Sequence, residues 1–137
     1  MKKIISSVLA LTLVSGFVPF NNNITDKYTV YAQGEKAEYT EGTYGILNYK
    51  NYGDHIEITG CDTSADAVVI PSEIDGVIVT GIDNYAFYGC KSLEQVVISK
   101  GITRIDGGAF YGCSSLNSLE IPDSVTELGD DVFSGCT

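Results

Sequence analysis

The chain has 137 residues, of which 44% are hydrophobic, and it carries 8 Lys and Arg against 18 Asp and Glu, a formal net charge of −10. This length suits one domain or one module of a larger assembly. The acidic balance argues against nucleic-acid binding, which depends on clustered basic side chains, and disfavours docking on an anionic membrane surface. His55 is the only histidine, which excludes metal sites that need two imidazoles from this chain.

The first 32 residues have the pattern of an export signal. Lys2 and Lys3 precede an apolar run over residues 4–20, which is short for a membrane-spanning helix and contains polar interruptions. A basic start, an apolar middle and a small residue at Ala32 are typical of a secretory signal peptide, with an uncleaved N-terminal anchor as the alternative. We therefore expect a secreted or cell-surface protein with no stable membrane span after processing.

Two short segments follow the predicted signal. Residues 33–42 are polar and lack periodicity, which predicts a flexible leader. Residues 43–66 contain two runs typical of strands, residues 44–49 and 55–59, on either side of turn residues 51–54. This segment is predicted to be a hairpin that caps the structure that follows.

A 23-residue period organises residues 67–137. Residues 91–113 and 114–136 align without a gap, and residues 67–90 fit the same frame with about five extra residues around positions 73–77. One unit alone cannot bury its apolar residues, whereas stacked units bury them against one another. The period therefore predicts a mainly β solenoid of about three rungs, each with a short strand, a return segment and a short helical turn.

The aligned positions predict columns of like side chains, because parallel strands of adjacent rungs lie about 4.8 Å apart. These columns comprise Leu93 and Leu116, Val96 and Leu119, Ile98 and Ile121, Phe87, Phe110 and Phe133, and Cys90, Cys113 and Cys136. A disulfide ladder or a metal site is conceivable for the cysteines, but side chains that point the same way suit neither. We favour a column of buried free thiols, with Cys61 near the equivalent place before the first unit.

Three recurring motifs, L-x-x-V-x-I-P, I-x-x-I-G/D and A-F-x-G-C, mark these units over residues 68–136. They resemble the BspA-type leucine-rich repeat family of bacterial surface and secreted proteins. The resemblance implies a leucine-rich-repeat solenoid, an N-terminal module similar to the predicted hairpin, and roles such as adhesion. The sequence departs from the pattern at residues 106–108.

No C-terminal cap follows Thr137, so the last rung would leave its apolar layer uncovered. We expect the repeats to be truncated, as a fragment of a longer array. The alternative is that this open end pairs with something else.

Side chains between the inward positions are expected to point outward, as an extended binding face or as ordinary solvated sheet positions. They are Glu94, Gln95, Val97, Ser99, Asn117, Ser118 and Glu120, continued on the first rung by Asp66, Ala67 and Val69. Tyr85, Tyr88 and Tyr111 lie on the opposite side, where we expect core packing more than exposure.

Candidates for chemistry are few. His55 and Cys61 stand six residues apart on one predicted strand, about 20 Å when extended, which is too far for a base and its nucleophile. Asp123, Asp130 and Asp131 do not have the spacing of a calcium loop.

Asp83 and Asp106 are expected to cap the amides that open each helical turn. We therefore predict a non-enzymatic binding module without metal or cofactor, whose partner is an extracellular protein or glycan and not nucleic acid. The alternative is an N-terminal structural spacer of a larger modular surface protein or enzyme.

Overall fold

The computed structural model describes residues 39–137, so the predicted signal peptide and most of the predicted leader lie outside the described residues. The described part is built from strands and hydrogen-bonded turns, without a helix. The strands are β1 Thr40–Tyr44, β2 Leu47–Asn51, β3 Ile56–Cys61, β4 Ala67–Ile70, β5 Glu73–Ile74, β6 Val77–Ile82, β7 Gln95–Ile98, β8 Arg104–Ile105, β9 Ser118–Glu120 and β10 Glu127–Leu128. The predicted mainly β solenoid is confirmed.

The first three strands form an antiparallel unit, which we call the cap. β2 and β3 pair across a turn in which the Tyr52 N–H donates to the His55 carbonyl, and β1 pairs with β2. β1 begins at Thr40, inside the segment predicted as a flexible leader, so residues 40–42 form part of a strand. The predicted strand over residues 44–49 is interrupted by a turn at residues 45–46, so the cap has three strands where a two-stranded hairpin was predicted. Gly45, at a left-handed φ of 62°, makes the two-residue turn that joins β1 to β2, a turn signal that polarity alone did not reveal.

Two parallel ladders stack the rungs. One sheet contains β4, β7 and β9, and aligns Val68 with Val96 and Val96 with Leu119. The other continues from β3 of the cap through β6, β8 and β10. Each rung therefore contributes one strand to each sheet, and equivalent residues of adjacent rungs pair in register, as the 23-residue period predicted.

The extra residues of the first rung form a small hairpin. β5 pairs antiparallel with β6 across Asp75 and Gly76, whose φ values are 50° and 81°. Two consecutive left-handed residues are what a type I′ hairpin turn requires, and an Asp-Gly pair adopts this geometry readily. The insertion thus leaves the register of the rungs intact.

The turn segments supply a third ladder between rungs. Within the first rung, the N–H groups of Ala86 and Tyr88 donate to carbonyls three residues earlier, so the segment coils tightly without becoming a helix. The N–H groups that alternate with them point along the solenoid: that of Tyr85 donates to the Gly107 carbonyl, and that of Phe87 donates to the Ala109 carbonyl at 2.7 Å. The same pattern recurs one rung later and satisfies backbone groups that would otherwise be buried without partners.

Aromatic rings form the centre of the core. The Phe87 and Phe110 rings stack at 4.9 Å between centroids, and the Phe110 and Phe133 rings at 5.7 Å. Leu93 is fully buried and Leu116 is partly buried against the same core. Ile121, predicted to lie in a column over Ile98, follows the end of β9 and is exposed, because no further described rung covers it.

Candidate binding surfaces and buried polar groups

The predicted outward residues lie on one side of the sheet made by β4, β7 and β9. Ala67, Gln95 and Ser118 share one register row, and Val69, Val97 and Glu120 share another. A third row precedes the strands, where the Glu94 N–H donates to the Asp66 carbonyl and the Asn117 N–H donates to the Glu94 carbonyl. We call these nine residues the sheet face; Ser99, predicted with them, follows β7 and is half-buried.

Valine is the unexpected component of the sheet face. The Val69 side chain is 63% exposed and that of Val97 is 49% exposed, although both lie in the middle of paired strands. Neighbouring positions carry the carboxylates of Asp66, Glu94 and Glu120, all exposed. The sheet face therefore combines a small apolar centre with acidic flanks, and none of its residues is basic.

A cavity of about 460 Å³ opens beside the last two strands of this sheet. Four members of the sheet face line it, together with inward-pointing residues at the end of the core: Val97, Asn117, Ser118 and Glu120, with Val96, Ile98 and Leu119. The cavity therefore lies at the end of the sheet, where it borders both the sheet face and the end of the core.

The three tyrosines of the turn segments are exposed, contrary to the expectation of core packing. Tyr85, Tyr88 and Tyr111, which we call the tyrosine cluster, are 57%, 59% and 39% exposed. The Tyr88 and Tyr111 rings stack at 5.7 Å, and Tyr85 meets Tyr88 edge to face at 5.8 Å. Phenylalanine already fills the interior of each turn, so the neighbouring tyrosines are directed outward.

Tyr85 has an unusual backbone conformation that depends on its neighbour. Its φ is 55°, in the left-handed region that aromatic residues rarely adopt. Its ring lies over Gly108, the equivalent position of the next rung, where a Cβ atom would overlap the ring. Gly108 thus makes room for the exposed ring. This accounts for the small residues at positions 107 and 108, where the sequence departs from the family pattern.

The cap is joined to the second rung by a partly buried ion pair that the sequence did not predict. Glu57, on β3, is buried and accepts a hydrogen bond from the guanidinium of Arg104, on β8. Gly81 of β6 lies between them in register, and its missing side chain leaves the space through which they meet. The Arg104 Nε also lies 3.1 Å from an Asp106 carboxylate oxygen.

A second ion pair joins the cap to the first rung. The Lys50 Nζ donates to the Asp83 Oδ2 at 2.9 Å, and the N–H of Asn84 donates to the Asp83 Oδ1. Burial alone would raise the pKa of Asp83, but the hydrogen bonds from Lys50 and Asn84 together lower it below its ordinary value. The predicted capping role is therefore modified: Asp83 bonds one turn amide and the cap lysine, and Asp106 pairs with Arg104.

Comparison with known proteins identifies the repeat. Residues 63–137 match the BspA type Leucine rich repeat region in six copies. The chain belongs to the BspA-type leucine-rich repeat family. No curated protein sequence matches it.

Two crystal structures share the fold of the BspA-type repeats found here. The leucine-rich repeat protein of T. pallidum (TpLRR) is 35% identical with a TM-score of 0.64, over 71% of this chain and 46% of that one. A leucine-rich repeat protein from Bacteroides ovatus is 27% identical with a TM-score of 0.58, over 77% of this chain and 27% of that one. The chain thus spans less than half the length of either relative.

All four cysteines carry free thiols: Cys61 of the cap and Cys90 and Cys113 of the BspA-type repeats are buried, and Cys136 is partly buried. The Cys113 thiol donates to the Phe87 carbonyl at 3.0 Å, and the Cys136 thiol to the Phe110 carbonyl at 3.2 Å. Burial raises the pKa of Cys113 to about 12. These thiols therefore act as small core groups that also bond the backbone of the previous rung.

The two residues considered as a base and a nucleophile have different neighbours. The His55 Nδ1 lies 2.6 Å from an Asp54 carboxylate oxygen, and its ring stacks on Tyr52 at 4.7 Å. The Cys61 thiol contacts the Asp62 carbonyl and the Cys90 thiol, and burial together with Cys90 raises the pKa of Cys61 to about 12. A thiol with such a pKa is protonated at neutral pH and is a weak nucleophile.

Within residues 39–137, no group of three His, Cys, Asp or Glu side chains could hold a metal ion, and Asp123, Asp130 and Asp131 are exposed turn residues. None of the described segments forms an apolar helix of membrane-spanning length.

Proposed function

We propose that this chain is a secreted or surface-exposed binding module whose sheet face recognises an extracellular protein. The observation that supports this most directly is the pair of exposed valines, Val69 and Val97, which lie side by side in the register of β4 and β7. Exposed apolar side chains bordered by polar ones are typical of protein interaction sites. Solenoids of stacked repeats commonly bind through such an extended face.

The charge of the sheet face defines the chemistry of the partner. Asp66, Glu94 and Glu120 surround the valines, and the whole chain has a net charge of −10. A complementary partner presents basic side chains around an apolar centre, since complementary charge speeds encounter and selects against acidic competitors. The partner class is therefore a protein with a basic, partly apolar surface patch.

A non-catalytic role accords with the geometry of the candidate reactive groups. The Cys61 thiol is directed to Asp62 and Cys90, whereas His55 contacts Asp54 and Tyr52. The export signal predicted for residues 1–32 agrees with an extracellular partner. The structural-spacer alternative differs in one measurable respect, because a spacer has no ligand of its own.

The test is a binding screen of the full chain against extracellular-matrix proteins and glycans, measured as dissociation constants at low and physiological salt. The face variant Gln95→Lys, Val97→Lys, Ser118→Lys should weaken binding at least tenfold, because interface contacts are lost and positive charges oppose a basic partner. The matched control changes three exposed residues outside the face to lysine: Ile78, Thr103 and Thr126. It adds the same charge and should bind as the wild type does.

Equal binding by the face and control variants would remove the sheet face as the site. Loss in both variants would mean that net charge, rather than this surface, governs binding. Absence of any ligand across the screen would favour the spacer alternative.

The tyrosine cluster supports a second candidate function, carbohydrate binding. Its rings are exposed and adjacent, and the A-F-Y-G-C motif that contains Tyr88 and Tyr111 has no charged residue. Tyr85 is held outward by its contact with Gly108. Aromatic rings with a polar tip give rigid, amphipathic contact area at a binding surface. A neutral glycan, whose sugar rings have apolar faces, is the ligand class that fits.

This second function is tested with a glycan array and the double variant Tyr88→Ala, Tyr111→Ala. Tyr44→Ala is the control, because Tyr44 is also exposed but lies in the cap outside the cluster. The double variant should lose glycan binding while the control retains it. Retention by the double variant would refute a carbohydrate site here.

A further inference from the structure

One pair of cysteines differs from the rest of the thiol column. Cys61 ends β3 of the cap, and Cys90 follows the turn segment of the first rung. Their Sγ atoms lie 3.9 Å apart, and both side chains are buried. No other pair of thiols in residues 39–137 makes such a contact.

The other two thiols are held by the repeat itself. Cys113 and Cys136 each donate to a phenylalanine carbonyl 26 residues earlier, which directs each Sγ toward the backbone of the previous rung. Cys90 has the same place in its rung, but the cap, not a repeat, lies before it. The Sγ of Cys90 therefore contacts the Sγ of Cys61 instead of a phenylalanine carbonyl.

We propose that Cys61 and Cys90 form an oxidation site, at which a disulfide bond fastens the cap to the first rung. The S–S bond is about 2.05 Å long, so bond formation requires the two sulfurs to approach by about 2 Å from their present separation of 3.9 Å. Cys61 is the last residue of β3, and Cys90 follows directly after the turn segment. Neither Cys113 nor Cys136 takes part.

The oxidant is a low-molecular-weight disulfide such as oxidised glutathione. One protein thiolate attacks it, forms a mixed disulfide and releases one glutathione thiol; the second protein thiolate then attacks the mixed disulfide and releases the other. The protein loses two protons and two electrons, and one glutathione disulfide becomes two thiols. Burial raises the pKa of both thiols, so exchange in the closed protein is slow and proceeds through transient opening of the cap.

The bond closes a chain segment that runs from the cap to the end of the first rung. It would restrict the unfolded chain and hold β3 against the rung that it covers. We expect the midpoint of thermal unfolding to rise by roughly 10–25 °C on oxidation, given typical disulfide effects in domains of this size.

The experiment uses the full chain, equilibrated in native buffer with oxidised and reduced glutathione and then alkylated under denaturing, nonreducing conditions. Wild type should lose two hydrogens and take up two alkyl groups, and peptide mapping should show Cys61 linked to Cys90. Cys113→Ser should still form the bridge and take up one alkyl group. Cys61→Ser and Cys90→Ser should form none.

The wild-type peptide map decides the proposal even if a variant fails to fold. Alkylation of all four cysteines, a persistent glutathione adduct without a bridge, or a bridge that includes Cys113 or Cys136 would each overturn it. A bridged protein whose unfolding midpoint equals that of the reduced protein would overturn the fastening role.

Discussion

Phe110 is the residue at which stacking of the rungs can be measured most directly. Its ring is fully buried and lies between two others, Phe87 at 4.9 Å and Phe133 at 5.7 Å. Phe110→Ala removes the buried ring, leaves a cavity and breaks both stacks, which together should cost about 4 kcal/mol of unfolding free energy. The measurement is urea unfolding of the full chain followed by far-UV circular dichroism.

Phe133→Ala is the matched comparison within the same column. Its ring is only partly buried and stacks on a single neighbour, so the loss should be about 2 kcal/mol. Phe110→Leu retains most of the volume and should cost about 1–1.5 kcal/mol. A loss at Phe133 as large as that at Phe110 would refute the argument that cost depends on the neighbours on both sides.

Two further predictions concern the polar contacts of the cap. The folded-state pKa of Asp83 is lowered, so its pair with Lys50 stabilises the protein above the ordinary pKa of an aspartate, and this contribution is lost as the pH falls through the folded pKa. Lys50→Met should therefore cost about 1 kcal/mol at pH 7 and almost nothing near pH 2, as measured by urea midpoints at both pH values; an equal cost at both would contradict this. Gly81→Leu should separate Glu57 from Arg104 and cost about 2–3 kcal/mol, because a buried carboxylate loses a hydrogen-bond donor that is itself partly exposed to solvent. Gly81→Ala, whose Cβ would make only ordinary contacts, should cost much less, and similar losses for the two substitutions would argue against the ion pair as the cause.

The register of the rungs could be predicted because equivalent residues recur at a constant interval of 23 positions. Val96 and Leu119 stand 23 positions apart and pair in the structure, and Phe110 stacks on Phe133 at the same interval. The outward direction of the sheet-face residues could be predicted as well. Successive side chains of a strand point to opposite sides of the sheet, so Val97 points outward because Val96 points inward. Identical units stacked in parallel leave little freedom in these assignments.

Exposure of the tyrosine cluster could not be derived in the same way. The motif places Tyr88 and Tyr111 next to buried phenylalanines, and both residue types are compatible with either side of a tight turn. For Tyr85, the direction depends on its left-handed backbone and on the space over Gly108. That geometry is a property of two rungs together, not of one.

The solenoid, its period and the stacking of Val96 on Leu119 and of Phe110 on Phe133 could be read from the amino-acid sequence, because they follow from local alternation and from repetition at a constant interval. The contacts between the cap and the repeats became known from the folded structure. Glu57 and Arg104 are 47 residues apart, and Cys61 and Cys90 are 29 apart, and neither interval is a multiple of the repeat. The cap lies outside the period, so its contacts depend on how it packs over the first rung.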